Sequence, residues 1–167
     1  RFDSGDVGDV DVYGPGDREM LPLFRWMARG LLPVVGSDDS RVSLLYVDDL
    51  AEAVIKWLQN ENCSEAVFEL HDGRPEGYLW QDVIDTIEHL TGKHVRSVKV
   101  PLAVLKTVSS LNLHAARVFR YAPMFTPGKL RELRHPDWVC DNTAFTRETG
   151  WTPQVSLEEG LRRTLEL

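Results

Sequence analysis

Apolar positions along the chain follow two rhythms: short β-rich runs and longer stripes at helical spacing. Met20, Leu23, Phe24 and Met27 recur every three or four residues, and Gly30 stops that pattern as a C-terminal cap would. Residues 31–35 are a short apolar run closed by Gly36, Ser37 and two Asp. Residues 42–47 are β-rich and feed straight into a helix, with Asp48 or Asp49 as its cap and Leu50, Val54, Trp57 and Leu58 as its buried side. Residues 66–70 read as a strand followed by a turn at 71–75, after which Leu79, Val83, Ile87 and Leu90 line a helix that Gly92 ends. From Val95 to Val100 apolar residues alternate with Arg96 and Lys99, the pattern of a half-exposed strand. Pro101 opens a helical stretch, and Ser156 with Glu159 forms a capping box around Leu157, Leu161 and Leu165. Strands that alternate with helices predict an α/β fold with at least partly parallel pairing.

Residues 1–11 break the alternation. Asp3, Asp6, Asp9 and Asp11 fall among glycines with no apolar period, so the stretch reads as an acidic tail, disordered or not native to the fold. Residues 12–167 are expected to form one unit. A chain of 167 residues, 43% of them hydrophobic, can bury roughly two-thirds of its unfolded surface.

Charge narrows the partners. Lys and Arg total 19 against 26 Asp and Glu, a formal net charge of −7. That balance argues against nucleic acid or an anionic membrane as the main partner. No apolar run approaches the ~18 residues a membrane helix needs, and the N-terminus lacks the basic-then-apolar order of a signal peptide. Cys63 and Cys140 have no CxxC spacing, so neither a disulfide scaffold nor a zinc site is supported, and a reducing cytoplasm is the expected compartment.

No P-loop, H-E-x-x-H or G-x-S-x-G occurs, and no G-x-G-x-x-G opens a helix after a strand. The five His do not pair at metal-ligand spacing on one helix face, and no metal site is expected. No self-sufficient catalytic constellation is visible, so no catalytic residue is assigned.

What the sequence does carry is a set of blocks in a particular order. They are Tyr13-Gly14-Pro15-Gly16-Asp17-Arg18-Glu19; Arg41-Val42-Ser43-Leu44-Leu45-Tyr46-Val47-Asp48-Asp49-Leu50-Ala51; His71-Asp72-Gly73; and Gly150-Trp151-Thr152-Pro153 with Leu157-Glu158-Glu159-Gly160 and Thr164. Over residues 12–167 this order resembles the C-terminal half of the extended short-chain dehydrogenase/reductases, the NAD-dependent epimerase/dehydratase family. The stretch from Thr126 to Trp138 points to the sterol-dehydrogenase-related and sugar-epimerase-like members. The resemblance implies an α/β fold comprising the C-terminal part of a Rossmann-type enzyme: a substrate-binding lobe with the last Rossmann elements. It also implies NAD or NADP in the intact enzyme, and a nucleotide-sugar or sterol-like alcohol as substrate.

Departures from the family pattern set the limits of that reading. The glycine-rich dinucleotide loop and the Tyr-x-x-x-Lys pair, both upstream of the YGPG block in the family, are absent from this sequence. Without that Tyr nothing moves the substrate hydroxyl proton; without the Lys nothing lowers the phenol's pKa; without the loop the diphosphate loses its helix N-terminus. The expectation is therefore a truncated or frame-disrupted fragment, inactive alone and binding no cofactor tightly. The alternative is a stand-alone module that binds a ligand, a separately encoded Rossmann half or a second copy of itself.

Each candidate residue has two readings. Tyr13, Gly14 and Pro15 resemble the family's loop over the nicotinamide; equally, they form a turn in which Gly and Pro serve only the backbone. Arg41 matches a family Arg that meets a substrate diphosphate, for which a planar guanidinium fork is suited; otherwise it is a strand-start Arg paired with Asp38 or Asp39. Lys129, Arg131 and Arg134, with His135, would face the substrate cleft, or else form a solvated helix face. Tyr46 stands where the family has His, and Asp48 or Asp49 is first of all a helix cap. Trp138, Phe145 and Trp151 are expected as core anchors, and Cys140 as an inert buried thiol.

Overall fold

A computed structural model describes residues 10–34, 40–60, 67–99 and 137–167. In chain order the elements are β1 (Asp11–Tyr13), α1 (Met20–Met27), β2 (Leu31–Val34), β3 (Arg41–Val42), β4 (Leu44–Tyr46), α2 (Val47–Gln59), β5 (Tyr78–Leu79), α3 (Trp80–Thr91), β6 (Arg96–Lys99), β7 (Asp137–Trp138), α4 (Thr143–Thr149) and α5 (Leu157–Leu165). The helical stretch expected after Pro101 lies outside the described residues.

The β-rich run at 42–47 is divided rather than continuous. Ser43 separates β3 from β4, and the two strands belong to different sheets. β4 pairs in parallel with β1, Asp11 opposite Leu44 and Tyr13 opposite Tyr46. β3 sits between β5, antiparallel, and β7, parallel. Ser43 is the joint: its carbonyl accepts from Asp11 N at 3.0 Å, its N–H donates to Trp138 O at 2.7 Å, and its hydroxyl accepts from Cys140 N at 3.0 Å. A third pair, β2 with β6, is parallel and places Leu31 beside Arg96 and Pro33 beside Val98. Asp11, on the acidic side of the expected boundary, is the half-buried first residue of β1.

Residues 42–46 are buried throughout, as suits strands covered on both faces. Side chains alternate across β4. Leu44 and Tyr46 enter the main core with Tyr13, Phe24, Met27 and Ile87, whereas Leu45 enters a second cluster with Ala53, Phe145 and Trp151.

α1 forms where the stripe of Met20, Phe24 and Met27 predicted it, but its cap lies further upstream than the first helical residue suggests. The Asp17 carboxylate accepts from Glu19 N, Met20 N and Leu21 N at 2.9, 2.7 and 2.8 Å. Pro22, next in line, has no N–H to satisfy. The helix ends at Met27, and Gly30, at φ 88°, donates to Met27 O. α3 ends on Gly92 at φ 68°, and α5 begins with Ser156 Oγ accepting from Glu159 N.

Two expectations about α2 are corrected. The helix begins at Val47, so Tyr46 occupies the cap position, and Asp48 and Asp49 fall in the first turn. Asp49 turns inward instead of capping. Nor is the stripe of Val54, Trp57 and Leu58 buried: these side chains are 46%, 41% and 69% exposed. The inner side of α2 is Asp49 and Ala53, one turn apart, and no element among the described residues covers the adjoining stripe. Residues 67–70, expected as a strand, make no strand pairing among the described residues.

Candidate functional site

The four sequence blocks meet at the C-terminal ends of β1 and β4. Tyr13, last in β1, is 1% exposed, its ring edge-on to Phe24 (centroids 5.6 Å apart) and to Tyr46 (5.7 Å). Gly160 in α5 makes room for it: a Cβ there would collide with the Tyr13 hydroxyl and lie 2.8 Å from its Cζ. That hydroxyl has no hydrogen-bond partner among the described residues. Burial first, and the nearby Asp72 carboxylate second, hold the phenol far above its ordinary pKa, so it stays neutral.

Asp49 binds the second block to the last. Its carboxylate, 2% exposed, accepts from Gln154 N at 3.1 Å and from Val155 N at 2.9 Å, fixing the segment before α5 against α2. Next to this clasp, Trp151 packs edge-on to Phe145 at 5.6 Å. As the sequence suggested, both rings are core anchors, and Cys140 is buried.

The His71-Asp72-Gly73 turn is polar inside. His71 is buried, and its Nδ1 accepts from Gly73 N at 2.9 Å, so the ring carries its proton on Nε2. Burial lowers its pKa, opposed in part by Asp141. The Tyr78 hydroxyl donates to Asp72 Oδ2 at 2.7 Å, while Asp72 Oδ1 has no partner among the described residues. Burial raises the Asp72 pKa, and burial together with this bond raises that of Tyr78. Arg74 covers the Tyr78 ring at 4.6 Å and pairs with Asp82 at 3.0 Å.

Of the residues singled out for ligands, the Tyr13 side chain is enclosed in the core. Gly14 is buried because Val47 of α2 abuts it, with the Val47 Cγ1 only 2.5 Å from where a Cβ would stand. Pro15 and Gly16 form the outward part of the turn, which Asp17 N closes onto Gly14 O at 3.2 Å. Arg41 opens β3, half-buried and engaged. Lys129, Arg131 and Arg134 lie outside the described residues. Sequence reasoning missed Asp17, Ser43, Asp49 as a clasp, and Gly160. Only Gly160 and Asp17 had a signal, as small or polar members of the sequence blocks, next to Leu161 and Gly16.

These residues do not by themselves fit a dinucleotide. α2 and α3 follow their strands without a glycine turn, and α1, which does follow one, already has its first N–H groups filled by the Asp17 carboxylate. A diphosphate would meet that negative charge. Among the described residues no group of three His, Cys, Asp or Glu could hold a metal ion.

Comparison with known proteins adds lineage to this geometry. No family model matches the chain. It is 30% identical over 156 residues to ceramide reductase of Caulobacter vibrioides, covering 93% of this chain and 48% of that protein. It is 27% identical to 2-alkyl-3-oxoalkanoate reductase of Stenotrophomonas maltophilia, with 91% and 47% covered. Against 3beta-hydroxysteroid-dehydrogenase/decarboxylase isoform 1 of Arabidopsis thaliana identity is 23%, with 93% and 38% covered. The chain thus spans about half the length, or less, of these relatives. Among solved structures, RMD from Pseudomonas aeruginosa complexed with NADPH superposes with a TM-score of 0.61 at 17% identity, over 93% of this chain and 44% of that one. UDP-glucuronic acid 4-epimerase from Bacillus cereus, in complex with UDP-glucuronic acid and NAD, gives 0.62 at 17% identity, over 93% and 41%. At such identity these two speak for the fold alone.

Proposed function

Since the chain belongs to the extended short-chain dehydrogenase/reductases, the NAD-dependent epimerase/dehydratase family, and carries the C-terminal part of their Rossmann-type α/β fold, we propose that it is the substrate-binding lobe of an NAD(P)-dependent oxidoreductase. The nicotinamide, when bound to the whole enzyme, would supply or accept a hydride. This lobe would present the substrate carbon. The relatives' names favour a lipid-like or sterol-like alcohol or ketone over a nucleotide-sugar as that substrate.

The uncovered stripe of α2 carries this reading. Val54 and Trp57 line a groove with Ala53, Phe68, Leu70 and Phe145. A lobe complete in itself would bury such a face; a nucleotide-binding half, on the same polypeptide or another, fits it. Within the lobe, Pro15 and its turn would face the nicotinamide, with Tyr13 holding the turn from inside. Arg41, with Lys129, Arg131 and Arg134, would receive a phosphate or carboxylate on the substrate or cofactor.

The experiment pairs this chain with the nucleotide-binding half of the ceramide reductase relative and follows NADPH oxidation with a long-chain ketone. Turnover by the mixture, and none by either part, is the expected result. Turnover by this chain alone would refute the lobe assignment. A binding module without catalysis is the second reading, motivated by Arg41. On it, Arg41→Ala weakens a thermal-shift ligand at unchanged Tm, and no added half brings turnover.

A further inference from the structure

A second exposed surface lies at the far end of α1. The inward side of this helix is Met20, Leu21, Phe24 and Met27, which leaves Arg25, Trp26 and Arg29 outside, with Trp26 49% exposed. The turn after α1 joins the β2–β6 ribbon. Lys93 Nζ donates to Ala28 O at 3.4 Å, Arg96 N donates to Gly30 O at 2.9 Å, and the Gly30 backbone lies against His94 O. In the ribbon, Leu31 stands beside Arg96 and Pro33 beside Val98, so these four share one face. Leu31 is 45% exposed and Val98 48%, whereas Leu32, pointing the other way, is buried.

Around this turn the end of α1 and the ribbon, distant in sequence, expose Trp26, Leu31 and Val98 together with Arg25, Arg29, Lys93 and Arg96. The acid beside them, Glu88, is half-buried and engaged by Val95 N at 2.6 Å and His94 Nδ1 at 2.8 Å. In a chain of net charge −7, this is a local reversal of sign that the linear sequence hides.

We propose that this surface docks on an anionic lipid bilayer. The chemistry fits a bilayer on three counts. Trp places an apolar ring and a polar N–H at the headgroup level. Arg and Lys lay their stems along apolar surface while their charges reach phosphate. Leu31 and Val98 offer insertion into the acyl boundary, apolar surface that a nucleic-acid backbone would leave uncovered. No helix among the described residues is long and apolar enough to cross a membrane, and the contact proposed is with the surface. The charge distribution sets the orientation, with the acidic remainder of the chain turned away. The inference stands on exposure and charge and is independent of which substrate the lobe binds.

The test is co-sedimentation of the full chain with vesicles of phosphatidylcholine alone or with one third phosphatidylglycerol. Binding to the second kind, weakened by salt, is expected. Arg29→Glu with Arg96→Glu should lower partitioning at least tenfold, and Trp26→Ala should lower it several-fold, both with an unchanged melting curve because all three side chains are exposed. Leu58→Ser, on the α2 stripe, should leave partitioning as it was. Three outcomes overturn the proposal: equal binding to both vesicle types, no response to the charge reversals, or loss of binding through Leu58→Ser. Tight binding to single-stranded DNA with none to vesicles would likewise overturn it and mark a polyanion site.

Discussion

The two sides of β4 carry cores of unequal finish. Leu44 and Tyr46 face a closed cluster in which Phe24, Met27 and Ile87 have no solvent exposure. Leu45, between them, faces a small cluster of Ala53, Phe145 and Trp151 whose outer wall is the exposed stripe of α2. The strand is thus covered on both sides, but the layer over Leu45 has an exposed apolar outer face and the layer over Leu44 and Tyr46 does not. Apolar content does not distinguish the sides: α2 has as regular an apolar stripe as α1. What differs is that, among the described residues, other elements cover the stripe of α1 and none covers that of α2.

Large-to-small substitution should expose that difference most strongly. Phe24→Ala removes a ring from the closed core and should cost about 3–5 kcal/mol. Trp57→Ala removes a larger ring from the open stripe and should change stability by no more than about 0.5 kcal/mol. Urea melts of the two variants check the pair. Comparable losses would mean that α2 is covered in solution, and added nucleotide-binding half should create that cost for Trp57→Ala.

Next in size is the clasp between the sides. Asp49→Ala leaves the Gln154 and Val155 N–H groups without their buried acceptor, a loss of about 1–3 kcal/mol. Asp48→Ala, one position away and exposed, should cost far less. Amide exchange at Val155 should speed up in the first variant and stay unchanged in the second.

How much of this was legible in the sequence follows from which forces are local. The stripe of α1, the glycine ends of α1 and α3 and the Ser156 cap depend on neighbours within four residues, and each is where the pattern put it. The division of the 42–47 run was not legible, because Ser43 becomes a joint only through bonds to Asp11, Trp138 and Cys140. Asp49 looked like a cap because sequence spacing cannot reveal that Gln154 and Val155 arrive beside it. The four site blocks were readable as a set. The basic and apolar surface of Arg29, Leu31, Lys93 and Arg96 was not, since it exists only once β2 and β6 pair.

A smaller effect, gated by pH, belongs to the turn that closes the core. His71 Nδ1 accepts from Gly73 N, a bond that ring protonation abolishes. Burial holds the folded-state pKa below the unfolded one, so the contribution to stability is complete above about 6.5 and is lost as pH falls through the folded value. Asp72 runs oppositely. Its raised pKa gives stability that is full below the ordinary carboxylate range and is lost as pH rises through the folded value. His71→Asn keeps a neutral acceptor and cannot protonate. Relative to it, the parent chain should lose Tm as pH falls below about 6.5, and an identical pH dependence of the two would show that His71 takes up its proton equally well in the folded and the unfolded chain.

The smallest change sharpens the comparison most, because it asks whether the finished side is finished completely. The Tyr13 hydroxyl is buried without a partner among the described residues, against Gly160 and near an equally unpartnered Asp72 oxygen. Such a group costs about 1–3 kcal/mol in desolvation that nothing offsets. Tyr13→Phe keeps the edge-on contacts with Phe24 and Tyr46 and removes only that oxygen. The variant should therefore be as stable as the parent or more so, by up to about 1 kcal/mol. A loss instead would mean that the hydroxyl is satisfied in solution, by a water held between Tyr13 and Asp72. The closed core would then have a polar interior of its own, and the contrast with the open side would be one of coverage rather than of completeness.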